Sequence, residues 1–222
     1  MYHLWFIYMI IGVYLLLPLV SLISKAILQN QRLAVYTFIL WFLINSAPGY
    51  YPVSLLDQLK LTGFLNWAGF FIIGYYVTHD SIVNRIPAWL CAIVFVFASL
   101  CTFFLNWRIN FLSTVPNETA YNFLTPNVVL ASIAAFMLIQ KLQIPSYLDK
   151  PLAYISGLVF PIYFMHLLVI EILKAGWLGF SVSPYSLHPS VGILSLTIAT
   201  FLISLVIAAI TRLIPHSEKI IG

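Results

Sequence analysis

The residue with the widest chemical repertoire in this chain is His166, in the run Ser156-Gly157-Leu158-Val159-Phe160-Pro161-Ile162-Tyr163-Phe164-Met165-His166. An imidazole among apolar neighbours can take up or release a proton near neutral pH, and a polar side chain inside a membrane span is expensive enough to call for a role. His166 is therefore a candidate general base or proton relay, with a structural hydrogen-bonding histidine as the alternative. Tyr163 lies one turn earlier on a neighbouring helix face, where its hydroxyl can donate a hydrogen bond. Pro161 removes one helix hydrogen bond and is predicted to kink the segment.

Other polar groups offer less. Glu171 and Lys174 are three apart, a spacing that allows a local ion pair at the membrane surface; the functional alternative has Glu171 facing an extracytoplasmic cavity and assisting proton transfer. His3 and Trp5 open the chain. Tryptophan commonly anchors a helix at the lipid interface, and His3 is either solvated or a second proton-handling group. Asn66, Asn106, Asn122 and Asn127 fall near predicted helix ends, where asparagine caps helices or turns. Trp5, Glu171 and Asn127 are also the candidates for contacting a substrate. Asn117-Glu118-Thr119 matches a glycosylation sequon.

His3, His79, His166, His188 and His216 share no ligand spacing such as His-Glu-x-x-His, so no metal site is expected. Cys91 and Cys101 sit ten apart on one predicted helix, about 15 Å along its axis. They cannot pair with each other and read as packing residues.

These groups are set in a chain of 222 residues that is 62% hydrophobic and only 7% charged. Ordinary globular domains carry about 25% charged residues, and a water-soluble fold of this composition would expose apolar surface and aggregate. Spanning a bilayer requires every backbone amide to be satisfied internally, which leaves helices or closed barrels. The apolar runs approach twenty residues without period-two alternation, which excludes the barrel. Basic residues are scattered singly, unlike a nucleic-acid-binding patch.

The pattern predicts an all-α membrane protein, a single polytopic bundle over residues 1–222 with about seven transmembrane helices, at 4–24, 33–46, 63–77, 86–107, 123–142, 152–173 and 191–213. The second and third are short for a span. Tyr50, Tyr51 and Trp67, in or beside the turn-rich connection 47–62, read as interfacial anchors. With the C-terminus in the cytoplasm, Lys25, Arg32, Arg85, Lys141, Lys150, Arg212 and Lys219 lie inside and only Lys60, Arg108 and Lys174 outside. The positive-inside rule therefore predicts N-terminus out and C-terminus in. A first helix with its first positive charge at Lys25 must export its own N-terminus, so the chain is expected to be the C-terminal part of a longer protein. No basic n-region of a signal peptide precedes it.

As a set, the segments resemble the acyltransferase-3 family. Tyr2-His3-Leu4-Trp5-Phe6-Ile7-Tyr8, running into Tyr14-Leu15-Leu16-Leu17-Pro18-Leu19, resembles that family's HLWFLY...YLLLPL stretch. Phe70-Phe71-Ile72-Ile73-Gly74-Tyr75-Tyr76-Val77 resembles FLLGYYL, and Pro126-Asn127-Val128-Val129-Leu130-Ala131 a later helix start. Ile162-Tyr163-Phe164-Met165-His166-Leu167-Leu168-Val169 resembles S-x-x-IYLIHPLV, with Val159 in place of Ser and Leu167 in place of Pro.

The resemblance implies a multipass O-acyltransferase of the plasma (bacterial inner) membrane. Its donor would be acyl-CoA, with acetyl-CoA expected, on the cytoplasmic side, and its acceptor a hydroxyl of a cell-surface carbohydrate or glycolipid. It also implies that the seven segments are the fourth to tenth of ten. The Arg and His of the family's first helix and its RxxR element have no counterpart in these residues. His166 and His3 are the expected proton-handling or orienting residues here, and Tyr163 the hydrogen-bond donor to the acyl oxygen. A small transporter or permease subunit, with His166 and Glu171 lining a solute or proton path, is the other reading, and an inactive fragment the third.

Overall fold

The computed structural model describes residues 5–46, 50, 62–111, 113–177 and 188–213, with 5, 62–65, 81, 82 and 189 described by backbone alone. They are helical, with no strand among them, and form two compact units, Met1–Leu142 and Gln143–Gly222.

In the first unit α1 (Trp5–Gln29) runs through Pro18 without a break. Asn30 ends it and starts α2 (Gln31–Ser46), its side-chain oxygen accepting from the Arg32 and Leu33 amides at 3.1 and 3.2 Å, as an N-cap does. There follow α3 (Thr62–His79), the single turn α4 (Ser81–Asn84), α5 (Ala88–Asn110), a 3-10 turn at Thr119–Tyr121 and α6 (Pro126–Gln140). Asp80 caps α4 through the Val83 amide at 2.9 Å. Pro126 occupies the first turn of α6, where a missing N–H loses nothing.

Two apolar clusters hold these helices. Val20, Ile27, Ala34, Ala68 and Ile72 join α1, α2 and α3. Trp41, Ile73, Val77, Cys91, Val129 and Met137 join α2, α3, α5 and α6. Gly69 lets α2 and α3 approach, because a Cβ there would overlap the Trp41 indole. At one end of the unit, Gln140 donates to the Thr78 hydroxyl at 2.8 Å and Lys141 to the Asn84 carbonyl at 3.0 Å. The start of α6, the end of α5 and Tyr50 lie toward the other.

The second unit opens with a 3-10 turn at Ser146–Leu148 that leads into α7 (Asp149–Ser156), followed by α8 (Val159–Ala175) and α9 (Pro189–Thr211). Val169 and Leu173 of α8 pack on Leu196 of α9. α8 ends at Gly176, whose φ of 71° is the left-handed conformation that glycine adopts without steric penalty. At the far end of α9 the Arg212 guanidinium lies 5.7 Å from the centre of the Tyr154 ring, a cation–π contact.

Each of the seven apolar segments falls on helix, but the sixth differs in form. The chain breaks at Gly157–Leu158, and α7 and α8 meet there with a bend of 62°. Pro161 is the third residue of α8, so it sits in a first turn whose amides lack partners anyway and does not kink a continuous span. The physical reason lies four residues back: in an unbroken helix the Pro161 ring would clash with the Gly157 carbonyl. Among the described residues four helices are long and apolar enough to cross a bilayer, or five if the bent pair is one span. α2, with 16 residues, is too short for that set, and Gly, Tyr, Asn66 and His79 dilute α3. Leu15, Leu22, Phe97, Leu202 and Ile210 stand exposed on the long helices, a surface that suits lipid and not water.

Candidate functional site

α8 brings two of the expected residues together. His166 is partly buried, and its Nδ1 lies 2.5 Å from the Tyr163 carbonyl oxygen. A carbonyl only accepts, so the contact needs a hydrogen on Nδ1, and Nε2 is the ring nitrogen left for another partner. The helix backbone thus holds one edge of the ring and leaves the other edge open to a substrate. The Tyr163 ring lies 5.5 Å from it at an interplanar angle of 39°, and Phe164 packs edge-on against both Tyr163 and Phe160. The pair therefore sits in an apolar aromatic setting on a helix, a rigid platform for proton transfer.

Glu171 lies on the same helix but about 140° around it from His166, at 100° per residue. It is paired with Lys174 at 3.5 Å, and both side chains are exposed. That geometry is the local ion pair. His3 lies outside the described residues, and so does the Trp5 side chain.

Asn127 belongs to the first unit and is buried at the start of α6. Its amide nitrogen donates to the Thr102 hydroxyl and to the Ala120 carbonyl, each at 2.7 Å, and its oxygen accepts from the Tyr50 hydroxyl at 2.6 Å. Three separate pieces of chain meet on one side chain: α5, the 3-10 turn and the connection after α2. Asn127 is not an N-cap, since Thr125 holds that position. Burial pushes the Tyr50 phenol above its ordinary value, opposed by the neighbouring Thr125 side chain.

Tyr50 and Thr102 escaped the reading of the sequence as members of this junction. Tyr50 has the composition of an interfacial anchor, yet its hydroxyl is spent on a tertiary bond to a residue 77 positions away. The signal that could have found it is Asn127 itself, a buried amide needing several partners. Cys91 and Cys101 are both free thiols.

Apolar helices with exposed lipid-compatible faces, carrying a partly buried imidazole in one of them, define a multipass helical membrane protein. The chain belongs to the acyltransferase-3 family: the family model described as an acyltransferase domain matches residues 1–209. The family read from the opening motif and the His166 segment is the family found, and it makes the chain a membrane acyltransferase in general terms. No curated protein and no solved structure matches the chain.

Proposed function

We propose that the protein transfers an acyl group, acetyl, from acyl-CoA at the cytoplasmic face of the plasma membrane to a hydroxyl of a cell-surface carbohydrate or glycolipid at the outer face. Its N-terminus lies outside and its C-terminus inside. The observation that carries the reading is the partly buried His166, its Nδ1 edge held by the Tyr163 carbonyl, in a chain whose family is one of acyltransferases. Nε2 takes the proton of the acceptor hydroxyl as its oxygen attacks the thioester carbonyl carbon. A tetrahedral oxyanion forms, with Tyr163 as its hydrogen-bond donor. The C–S bond then breaks, and the imidazolium gives the proton it took to the leaving CoA sulfur. Ester and free CoA are the products, and the imidazole returns to its starting state. Asn127 and Glu171 serve acceptor binding only indirectly, through the loop that one anchors and the helix end that the other shares.

The test is acetyl transfer from labelled acetyl-CoA to surface glycan in membranes carrying the full-length protein. His166→Ala and His166→Gln are each expected to lower turnover by about 10²–10⁴-fold. Unchanged turnover in both variants refutes the role of His166. Solute flux into proteoliposomes without consumption of acyl-CoA would replace the enzyme reading by a transporter.

A further inference from the structure

The connection between α5 and α6 forms an open pocket of about 340 Å³, within the size range of small-molecule sites. Asn106, Asn110, Ser113, Thr114, Asn117 and Tyr121 line it, and no charged side chain does. We propose that this pocket is a binding subsite for a neutral, hydroxyl-rich ligand of the oligosaccharide class, separate from the reacting hydroxyl. Its position on the outer face rests on the orientation in the functional reading above.

Three observations carry it. First, the walls are built in advance. The Asn110 amide nitrogen donates to the Asn106 carbonyl and side-chain oxygen, both at 2.9 Å, and to the Asn117 carbonyl at 3.0 Å. Its oxygen accepts the Asn117 backbone amide at 2.7 Å, and the Asn117 side chain accepts the Thr119 amide at 2.9 Å. The Ala120 carbonyl at the end of the loop is held by Asn127. A pocket fixed in this way does not lose much ordering entropy on binding.

Second, donors remain. The amide nitrogens of Asn106 and Asn117 and the Thr114 hydroxyl have no partner among the described residues, whereas the Asn110 amide and the Asn117 and Thr119 backbone amides are used. Third, the chemistry discriminates. With no cation in the lining, an anion has nothing to pair with, and Glu118, which interacts with the Tyr121 hydroxyl, repels it. Amide and hydroxyl walls leave an apolar ligand's surface facing unsatisfied groups. A sugar satisfies both conditions: its hydroxyls accept from the amides and donate to the side-chain oxygens, while the Tyr121 ring offers an apolar face.

The experiment uses the detergent-solubilised full chain on an array of neutral oligosaccharides, built from hexoses, deoxyhexoses and N-acetylhexosamines, printed beside uronate-containing and sulfated ones. No acyl donor is present, so a failed acyl transfer leaves the result intact, and the reverse also holds. Neutral glycans are expected to be retained in preference to anionic ones. In solution competition with the best of them, Asn106→Asp and Thr114→Val each weaken binding about tenfold. Asn106→Asp keeps an oxygen for Asn110 and replaces the free donor by a charged acceptor, whereas Thr114→Val removes a hydroxyl without adding charge, so the two together test the donors; an unchanged melting profile checks that the loop stays pinned. Retention of no neutral glycan, preference for anionic ones, or unaltered binding in both variants overturns the proposal.

Discussion

Replacing Tyr50 by Phe removes one oxygen from the protein and leaves the ring. The atom affected is the Asn127 side-chain oxygen, which accepts the phenol at 2.6 Å from within a residue only 7% exposed. Among the described residues no other donor to that oxygen is in place, and water has little access to it. An intramolecular hydrogen bond is worth about 1 kcal/mol net, and an orphaned buried acceptor costs about 1–3 kcal/mol. Tyr50→Phe is therefore expected to destabilise the chain by about 1–3 kcal/mol. Asn127→Ala breaks all three bonds of the junction, frees the Ala120 carbonyl and the Thr102 hydroxyl, and is expected to cost about 3–5 kcal/mol. Once Asn127 is gone the phenol has nothing to donate to at that place, so the double variant should fall short of additivity by about 1 kcal/mol. Equilibrium unfolding in mixed detergent micelles, followed by tryptophan fluorescence, measures all three. If Tyr50→Phe stays within about 0.3 kcal/mol of the parent and the two changes add, the junction as described is not part of the fold.

Gly69→Ala is expected to destabilise the contact of α2 with α3 by about 1–3 kcal/mol, because the new methyl overlaps the Trp41 indole; co-replacement with Trp41→Phe should restore part of the loss in the same unfolding assay. The Tyr50 phenol is held above its ordinary value of 10.0, so its contribution to stability is complete below that pH and lost as the pH rises through the raised value. Stability measured against pH above about 9 should therefore fall in the parent and fall less in Tyr50→Phe. Lys174→Ala is expected to change stability by less than about 1 kcal/mol, since the ion pair with Glu171 is exposed; a larger loss would show that Glu171 has a further partner.

The helices were legible because twenty-residue apolar runs have few other fates: each run overlaps an observed helix, while the single turn α4 falls between two runs. The number of crossings was less so. Whether α2 or α3 spans a bilayer depends on length and on dilution by Gly, Tyr and Asn, quantities that shift with boundaries read from hydropathy alone. The break at Gly157–Leu158 was half visible: Pro161 announced an interruption, but its ring acts on the carbonyl four residues earlier, so the bend falls on the glycine. On α8, the sequence placed Tyr163 near His166 correctly because one helical turn separates them, whereas the contact of Nδ1 with the Tyr163 carbonyl depends on a side-chain rotamer that spacing does not give. Tyr50, Thr102 and Ala120 could not be assigned to Asn127 from spacing, since hydrogen bonds between distant segments leave no periodic trace.

The bend between α7 and α8 has a consequence for the lipid around it. With 17 residues α8 extends about 25 Å, short of a hydrocarbon layer of about 30 Å. The bend of 62° turns α7 away from that axis, and its opening Asp149 and Lys150 give it the charge expected of a helix lying at the headgroup level. Headgroups and water must follow the chain down to the amides of the first turn of α8, since those groups have no carbonyl of their own helix to meet. A chain seated in this way is expected to thin the bilayer locally, so that its stability differs between membranes of different thickness.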